Sequence, residues 1–252
     1  MSNVLTISGH GNGTGKSVIA LNLAASLAVY EKKTLLIDCD PEGVITGWAG
    51  NSIYPHDLST VMGGRVGLGD AISKTEFNFL DVVPAGKEMI ALGERLSRQP
   101  ANEKLLRLLI EENKEIGYEY IIIDAPSSNR FLTLSAMTAA DWLISPFCPT
   151  THSKKDLLQL LGDIRYIRKA HDTGLKIAGF LFNRCRDRKE IQSFIQREDL
   201  GEIAELIYQT HIPHDSLVPR TVEQYVPLVL SDIKSPAASA FLCFAREIDS
   251  IF

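Results

Sequence analysis

A doubly wound, mostly parallel α/β sheet with helices on both faces is predicted by two features: short apolar runs without polar alternation, and helical segments between them. A run that is apolar at every position belongs to a strand buried on both sides, the condition of a parallel sheet covered by helices. Such runs are Val4–Ile7, Thr34–Ile37, Phe79–Val83, Tyr120–Ile123, Trp142–Ser145 and Lys176–Phe182. Between them, Ser17–Tyr30 places Ile19, Leu23 and Leu27 on one helical face, Asn102–Ile116 does the same with Leu105, Leu108 and Leu109, and Ser153–His171 with Leu157, Leu160, Leu161 and Ile164. Alternating strand and helix predicts right-handed crossovers. The glycine-rich stretch Trp48–Asp70 is expected to be a mobile surface loop.

Composition narrows the class. At 252 residues, 45% hydrophobic and 23% charged, the chain can bury a substantial core, and one domain over residues 1–252 is expected. No stretch approaches the roughly 20 apolar residues a membrane span needs, and the N-terminus lacks a basic segment before an apolar one, so a cytoplasmic protein is expected. Cys39, Cys148, Cys185 and Cys243 lie far apart without a C-x-x-C, which argues against zinc ligation or a redox pair and reads as buried thiols. A formal net charge of −5 argues against a globally cationic nucleic-acid binder, but a local basic patch is compatible with it.

The strongest motif follows the first strand. Val4–Ile7 leads into Ser8-Gly9-His10-Gly11-Asn12-Gly13-Thr14-Gly15-Lys16-Ser17, a glycine-dense turn that opens a helix. A polyanion needs several backbone N–H groups converging at short range, and glycines let the chain turn that tightly. The helix start adds the positive end of its dipole. In this P-loop reading Gly11, Asn12, Gly13, Thr14, Gly15, Lys16, Ser17 and Val18 hold the phosphates of ATP, Lys16 reaches the β- and γ-phosphates, and Ser17 is a ligand of Mg2+. The pattern G-x-x-x-x-G-K-[ST] would put its first glycine at position 10, where this chain has His10 and places Gly9 one residue early.

Two strands end in carboxylates, and parallel sheets bind ligands outside those strand ends. Leu35-Leu36-Ile37-Asp38-Cys39-Asp40-Pro41 carries two, and Tyr120–Pro126 carries Asp124, placed as a Walker-B aspartate near the metal.

With these segments the chain resembles the ParA/MinD family, the deviant Walker-A P-loop ATPases of partition and positioning. The likeness runs nearly end to end: the P-loop, Asp38-Cys39-Asp40-Pro41-Glu42-Gly43, Val83-Pro84-Ala85, Tyr120–Pro126, Asn183-Arg184, Ile212-Pro213 and Pro236–Phe241. The resemblance implies that Asp40 positions the attacking water, Asp38 supports the magnesium and the switch segment, and Asn183, with Arg184 and Pro213, receives the adenine. It implies an ATP-sandwich homodimer and a small adaptor that stimulates slow hydrolysis. One departure is informative. The family's signature lysine would stand at position 11, and here that residue is Gly11. Two triphosphates facing each other need a cation from across the interface. Lys154 or Lys155 is expected to supply it, as in the subset without the signature lysine, such as carboxysome-positioning McdA-like ATPases.

Such ATPases travel on the nucleoid or on a membrane. Arg165, Arg168 and Lys169, and after Arg184 the residues Arg186, Arg188 and Lys189, form two basic clusters suited to non-specific DNA, placing the ATP-bound protein on the nucleoid. No basic amphipathic extension follows Ile248–Phe252, so a membrane anchor is not expected. The alternative reading is an ATP-dependent carboxylate ligase or amidotransferase of the dethiobiotin or cobyrinate synthase type, which shares the fold but needs a small-substrate pocket.

Overall fold

The computed structural model describes residues 2–11, 13–48, 54–219 and 226–252. Eight strands form one sheet: β1 (Asn3–Ile7), β2 (Thr34–Asp38), β3 (Ser73–Lys74), β4 (Leu80–Val83), β5 (Tyr120–Asp124), β6 (Trp142–Phe147), β7 (Lys176–Cys185) and β8 (Ile212–Pro213). Their order is β3-β4-β2-β5-β1-β6-β7-β8, and every pairing is parallel except β3 with β4. The first strand in sequence therefore lies between β5 and β6, and the chain leaves its carboxyl end where neighbouring connections diverge, the point at which such sheets bind ligands.

Alternation along each strand builds two cores. Val4, Ile121 and Ile123 point to one face, covered by α3 (Leu58–Met62), α4 (Met89–Leu96), α5 (Leu105–Glu112), α6 (Arg130–Ala139), α7 (Lys154–His171) and α8 (Arg188–Arg197). Leu5, Ile7, Tyr120 and Ile122 point to the other, covered by α1 (Lys16–Val29), α2 (Val44–Trp48), α9 (Leu228–Ser231) and α10 (Pro236–Ile251). Helix α1 is buried nearly all round because it lies between the sheet and α10, which explains its run of Ala, Leu and Ile.

Several expectations need correction. The single helix predicted over Asn102–Ile116 is three pieces, with 3-10 turns at Asn102–Lys104 and Lys114–Ile116 around α5. Ala101 at φ 65° and Gly117 at φ 78° reverse the backbone on either side. Within Trp48–Asp70, residues 49–53 lie outside the described residues; beyond them the segment expected as a loose loop holds α3, capped by Asp57, and buries Leu58, Val61, Met62 and Leu68. Three cysteines are buried, whereas Cys243 is exposed on α10. No helix among the described residues is long and apolar enough to cross a membrane.

The tightest backbone approach in the sheet is at Gly179 of β7. A Cβ there would lie 2.7 Å from the Tyr208 ring and 2.8 Å from the Leu206 carbonyl oxygen. Gly179→Ala is expected to cost about 1–3 kcal/mol by overpacking, read as a lower urea midpoint at unchanged m-value.

Candidate nucleotide-binding site

The turn after β1 is shaped by backbone reversals. Gly11, Gly13 and Gly15 have φ of 90°, 71° and 89°. At Gly15 a side chain is excluded on two grounds: the left-handed backbone, and the Asn183 amide nitrogen, which would lie 2.5 Å from a Cβ. Gly15 is also the N-cap of α1 and offers no side chain to its first turn. By contrast Asp57, Asn129, Asp187 and Ser235 accept from the first turns of α3, α6, α8 and α10. The opening N–H groups of α1 are thus left to a ligand, and the dipole selects an anion. Asn12 lies outside the described residues.

Lys16 is buried, at 6% exposure, and its ammonium donates to the Gly11 carbonyl at 3.2 Å, curled back over the turn. Burial pushes its pKa below the ordinary lysine value, against the pull of Asp124, Asp40 and Glu42. Asp124, at the end of β5, is fully buried, and neither carboxylate oxygen has a hydrogen-bond partner. Desolvation first, then the charges of Asp38 and Asp40, raise its pKa well above the carboxylate range. The half-buried Ser17 hydroxyl and Lys16 offset part of that rise, although neither stands in hydrogen-bond geometry to the carboxylate. Asp38 is also fully buried but satisfied: it accepts from Asp40 N at 3.0 Å, Thr46 N at 2.8 Å and the Thr46 hydroxyl at 2.7 Å. Burial still lifts it to about 6. Asp40, 7% exposed, accepts from Glu42 N at 3.0 Å.

Beyond the helix start lies a pocket of about 430 Å3, lined by Gly15, Val18, Asn183, Arg184, Pro213 and Asp215 among others. Five of those residues were singled out in the sequence; Asp215 was not. It follows Ile212-Pro213-His214, and its strand-end position was the available signal. Asn183 donates to the Thr14 carbonyl at 2.8 Å, so it braces the turn as well as facing the pocket.

The lysines expected to act across an interface differ in their surroundings. Lys154 pairs with Asp199 at 3.0 Å, and Lys155 is exposed with no ion pair among the described residues. In the basic clusters, Arg168 donates to the Leu175 carbonyl, Arg188 to that of Gln209, and Arg186 pairs with Glu190. Arg165, Lys169 and Lys189 are exposed. Sequence reasoning passed over Thr46, His152 and the Asp163–Arg130 pair, because each works through contacts made only in the folded chain.

Residues 2–177 match the protein family AAA_31, described as an AAA domain. The chain is similar to the chromosome partitioning protein ParA of Caulobacter vibrioides, with 31% identity over 98% of this chain and 94% of that one. The chain belongs to the ParA/MinD family of P-loop ATPases. The P-loop of that family is a site for ATP with Mg2+. Among solved structures, apo McdA from Cyanothece superposes with a TM-score of 0.84 at 20% identity, covering 98% of this chain and 99% of that one. Cobyrinic acid a,c-diamide synthase from Mycobacterium smegmatis, with ADP and magnesium, superposes at 0.82 with 24% identity, covering 98% and 93%. At those identities the likeness carries the fold alone.

For this P-loop ATPase, the orphaned Asp124 carboxylate gives a test of stability against function. Asp124→Asn removes a buried carboxyl whose ionisation burial opposes and whose oxygens have no hydrogen-bond partner, and is expected to raise the thermal midpoint of the nucleotide-free protein by about 2–4 °C. The same substitution should abolish the strengthening of nucleotide binding by Mg2+, read by titration calorimetry with and without the metal.

Proposed function

We propose that the protein is a positioning ATPase that dimerises around ATP, binds DNA non-specifically in that state and distributes a cargo through slow, adaptor-stimulated hydrolysis. The observation that supports this most is the combination of an uncapped α1, a buried Lys16 and an unpartnered Asp124 around one glycine turn. The residues fit a metal–triphosphate. Asp124 and Ser17 present oxygen to Mg2+, and Thr14 Oγ1 also lacks a partner. Among the described residues no three His, Cys, Asp or Glu side chains form a metal cage. A P-loop magnesium does not need one, since water and the phosphates supply most of its ligands. When bound, Mg2+ neutralises charge on the β- and γ-phosphates.

In this reading the chain's own groups divide the work. The amides of Gly11, Asn12, Gly13, Thr14, Gly15, Lys16 and Ser17 hold the phosphates, and Lys16 exchanges the Gly11 carbonyl for the γ-phosphate. Asp40 orients the attacking water, and Asp38 fixes the switch segment through Thr46 and supports the metal. Val18, Asn183, Arg184 and Pro213 receive the nucleoside in the 430 Å3 pocket. Lys155, free of an ion pair among the described residues, supplies the trans cation in the subset that lacks the signature lysine, with Lys154 second because Asp199 engages it. DNA meets Arg165 and Lys169 on α7, and Arg186 just before α8 with Lys189 on it, the pair that faces a groove with Arg197; Arg168 and Arg188 keep carbonyl contacts in the fold.

The second reading, a carboxylate ligase or amidotransferase, rests on the superposition with the diamide synthase. The cavity beside the outer edge of the turn, lined by His10, Ser127, Arg130 and Asp163, is about 210 Å3. Small-molecule sites usually hold about 300–1,000 Å3, which favours the ATPase.

Four variants test the proposal. Lys16→Ala should abolish hydrolysis. Asp40→Asn should lower kcat by roughly 10²–10⁴-fold while nucleotide affinity stays near the parent's. Lys155→Ala should leave ATP bound but the protein monomeric in light scattering. ATP-dependent DNA binding should fall steeply with salt, with a shallower slope in Arg165→Ala/Lys169→Ala. Turnover that requires a carboxylate substrate would favour the ligase.

A further inference from the structure

Nothing in the phosphate-binding motif accounts for His152, yet like Asn183 it hydrogen-bonds to a backbone carbonyl of the turn. It ends the turn after β6, 5% exposed, with its ring stacked on Phe147 at 4.7 Å between centroids and 21° between planes. Its Nδ1 lies 2.8 Å from the Cys148 amide, and its Nε2 lies 2.9 Å from the His10 carbonyl oxygen. An amide N–H can only donate and a carbonyl oxygen can only accept, so these partners fix one tautomer: Nδ1 accepts and Nε2–H donates. Burial also holds the imidazole below its usual pKa range, which favours that neutral form.

The same ring governs position 11. A Cβ on Gly11 would lie 3.2 Å from His152 Nε2 and 3.3 Å from Thr14 Cγ2, on a backbone at φ 90°. The left-handed backbone disfavours any side chain there, and the ring narrows the space further. His10 is gripped from two sides: its carbonyl by His152, and its ring by Asp163 at 2.9 Å, which in turn pairs with Arg130 at 3.0 Å.

We propose that His152 is a positioning residue for nucleotide binding: by holding the His10 carbonyl through Nε2–H, it sets the path of the glycine turn. Residue 152 stands two positions before α7, so the same bond ties the turn to the helix start that carries Lys154 and Lys155. The turn at Cys148, closed by Thr151 N and His152 N onto the Cys148 carbonyl at 3.1 Å and 2.9 Å, keeps the ring in place.

The role rests on the P-loop reading, and two amide substitutions isolate it. Asn at 152 can reproduce the local Nδ1 contact with Cys148 but cannot reach the turn, whereas Gln can place an N–H near the position of Nε2. Affinity for a fluorescent ATP analogue with Mg2+ is measured by equilibrium titration, with thermal midpoints recorded alongside. His152→Asn should weaken binding by roughly tenfold, the size of one lost hydrogen bond that orders the site, and His152→Gln should recover most of it. Equal affinity in the two variants, or losses that simply follow the thermal midpoint, would overturn the role. A readout without nucleotide separates this from the P-loop reading. Long-range 15N–1H spectra of the parent should show His152 as the Nε2–H tautomer, and an Nδ1–H or doubly protonated ring at neutral pH would also overturn it. A parent that shows this tautomer but binds no nucleotide would overturn the P-loop reading and, with it, the role in nucleotide binding.

Discussion

One buried ammonium faces too many buried carboxylates at the end of β1, and the rest of the structure is arranged around that imbalance. Lys16 feels the charges of buried Asp124 and Asp40 and of exposed Glu42, and it spends one of its donors on the Gly11 carbonyl. The Asp124 carboxylate has no hydrogen-bond partner. Ionised groups in a medium of low dielectric must be compensated or must change protonation. The raised pKa of Asp124 and Asp38 and the lowered pKa of Lys16 are that strain expressed as proton affinity. A metal–triphosphate relieves it from both ends, since the cation answers the carboxylates and the phosphates answer Lys16 and the N-terminus of α1. The site is held short of its own stability optimum, as functional sites commonly are.

An unstable charge arrangement needs a stiff frame, and the turn is braced from outside itself. Asn183 on β7 holds the Thr14 carbonyl, His152 after β6 holds the His10 carbonyl, and Asp163 on α7 holds the His10 ring. Each brace comes from the β6–α7–β7 side of β1. The acidic groups come from the other side, from β2 and β5. A turn fixed on one flank and charged on the other has its backbone N–H groups set before any ligand arrives, which removes the ordering cost from binding.

The legible part of this molecule is the part written in local pattern. Strands without alternation, the glycine turn and the acidic strand ends follow from residue order, because burial on both faces and backbone reversal each demand a residue type at a position. What was missed has specific causes. β6 extends to Phe147, beyond the expected end at Ser145, because Pro146 looks like a strand breaker. The pairing of β6 with β1 has already ended at Ile144, so no ladder partner is waiting for the N–H that proline lacks. β7 runs on to Cys185 because its last residues pair with the short β8, which has too few residues to show a period. The helix expected over Asn102–Ile116 gives way at Asn113, whose φ of −113° and ψ of 21° end the α-helical run, and an asparagine inside an apolar-periodic stretch gives little warning of that. His152 and Thr46 act through partners more than a hundred and about forty residues away in sequence, and neither side chain signals its role by type.

Thr46 shows how the segment after β2 joins the rest of the sheet. Its hydroxyl donates to Asp38 at 2.7 Å and accepts from the Ala85 amide at 2.9 Å, which uses its single hydrogen and one lone pair. Ala85 and Pro84 in turn accept from Ser59 N and Leu58 N, the first amides of α3. A chain of hydrogen bonds thus runs from the buried carboxylate of β2, through α2, to the end of β4 and on to α3. This accounts physically for Val83-Pro84-Ala85, which carries no reactive group. Proline leaves its carbonyl free while donating nothing, and the small residue after it allows Thr46 to approach its N–H. Any change in the charge carried by Asp38 alters its two bonds with Thr46, whose hydroxyl also holds the Ala85 amide.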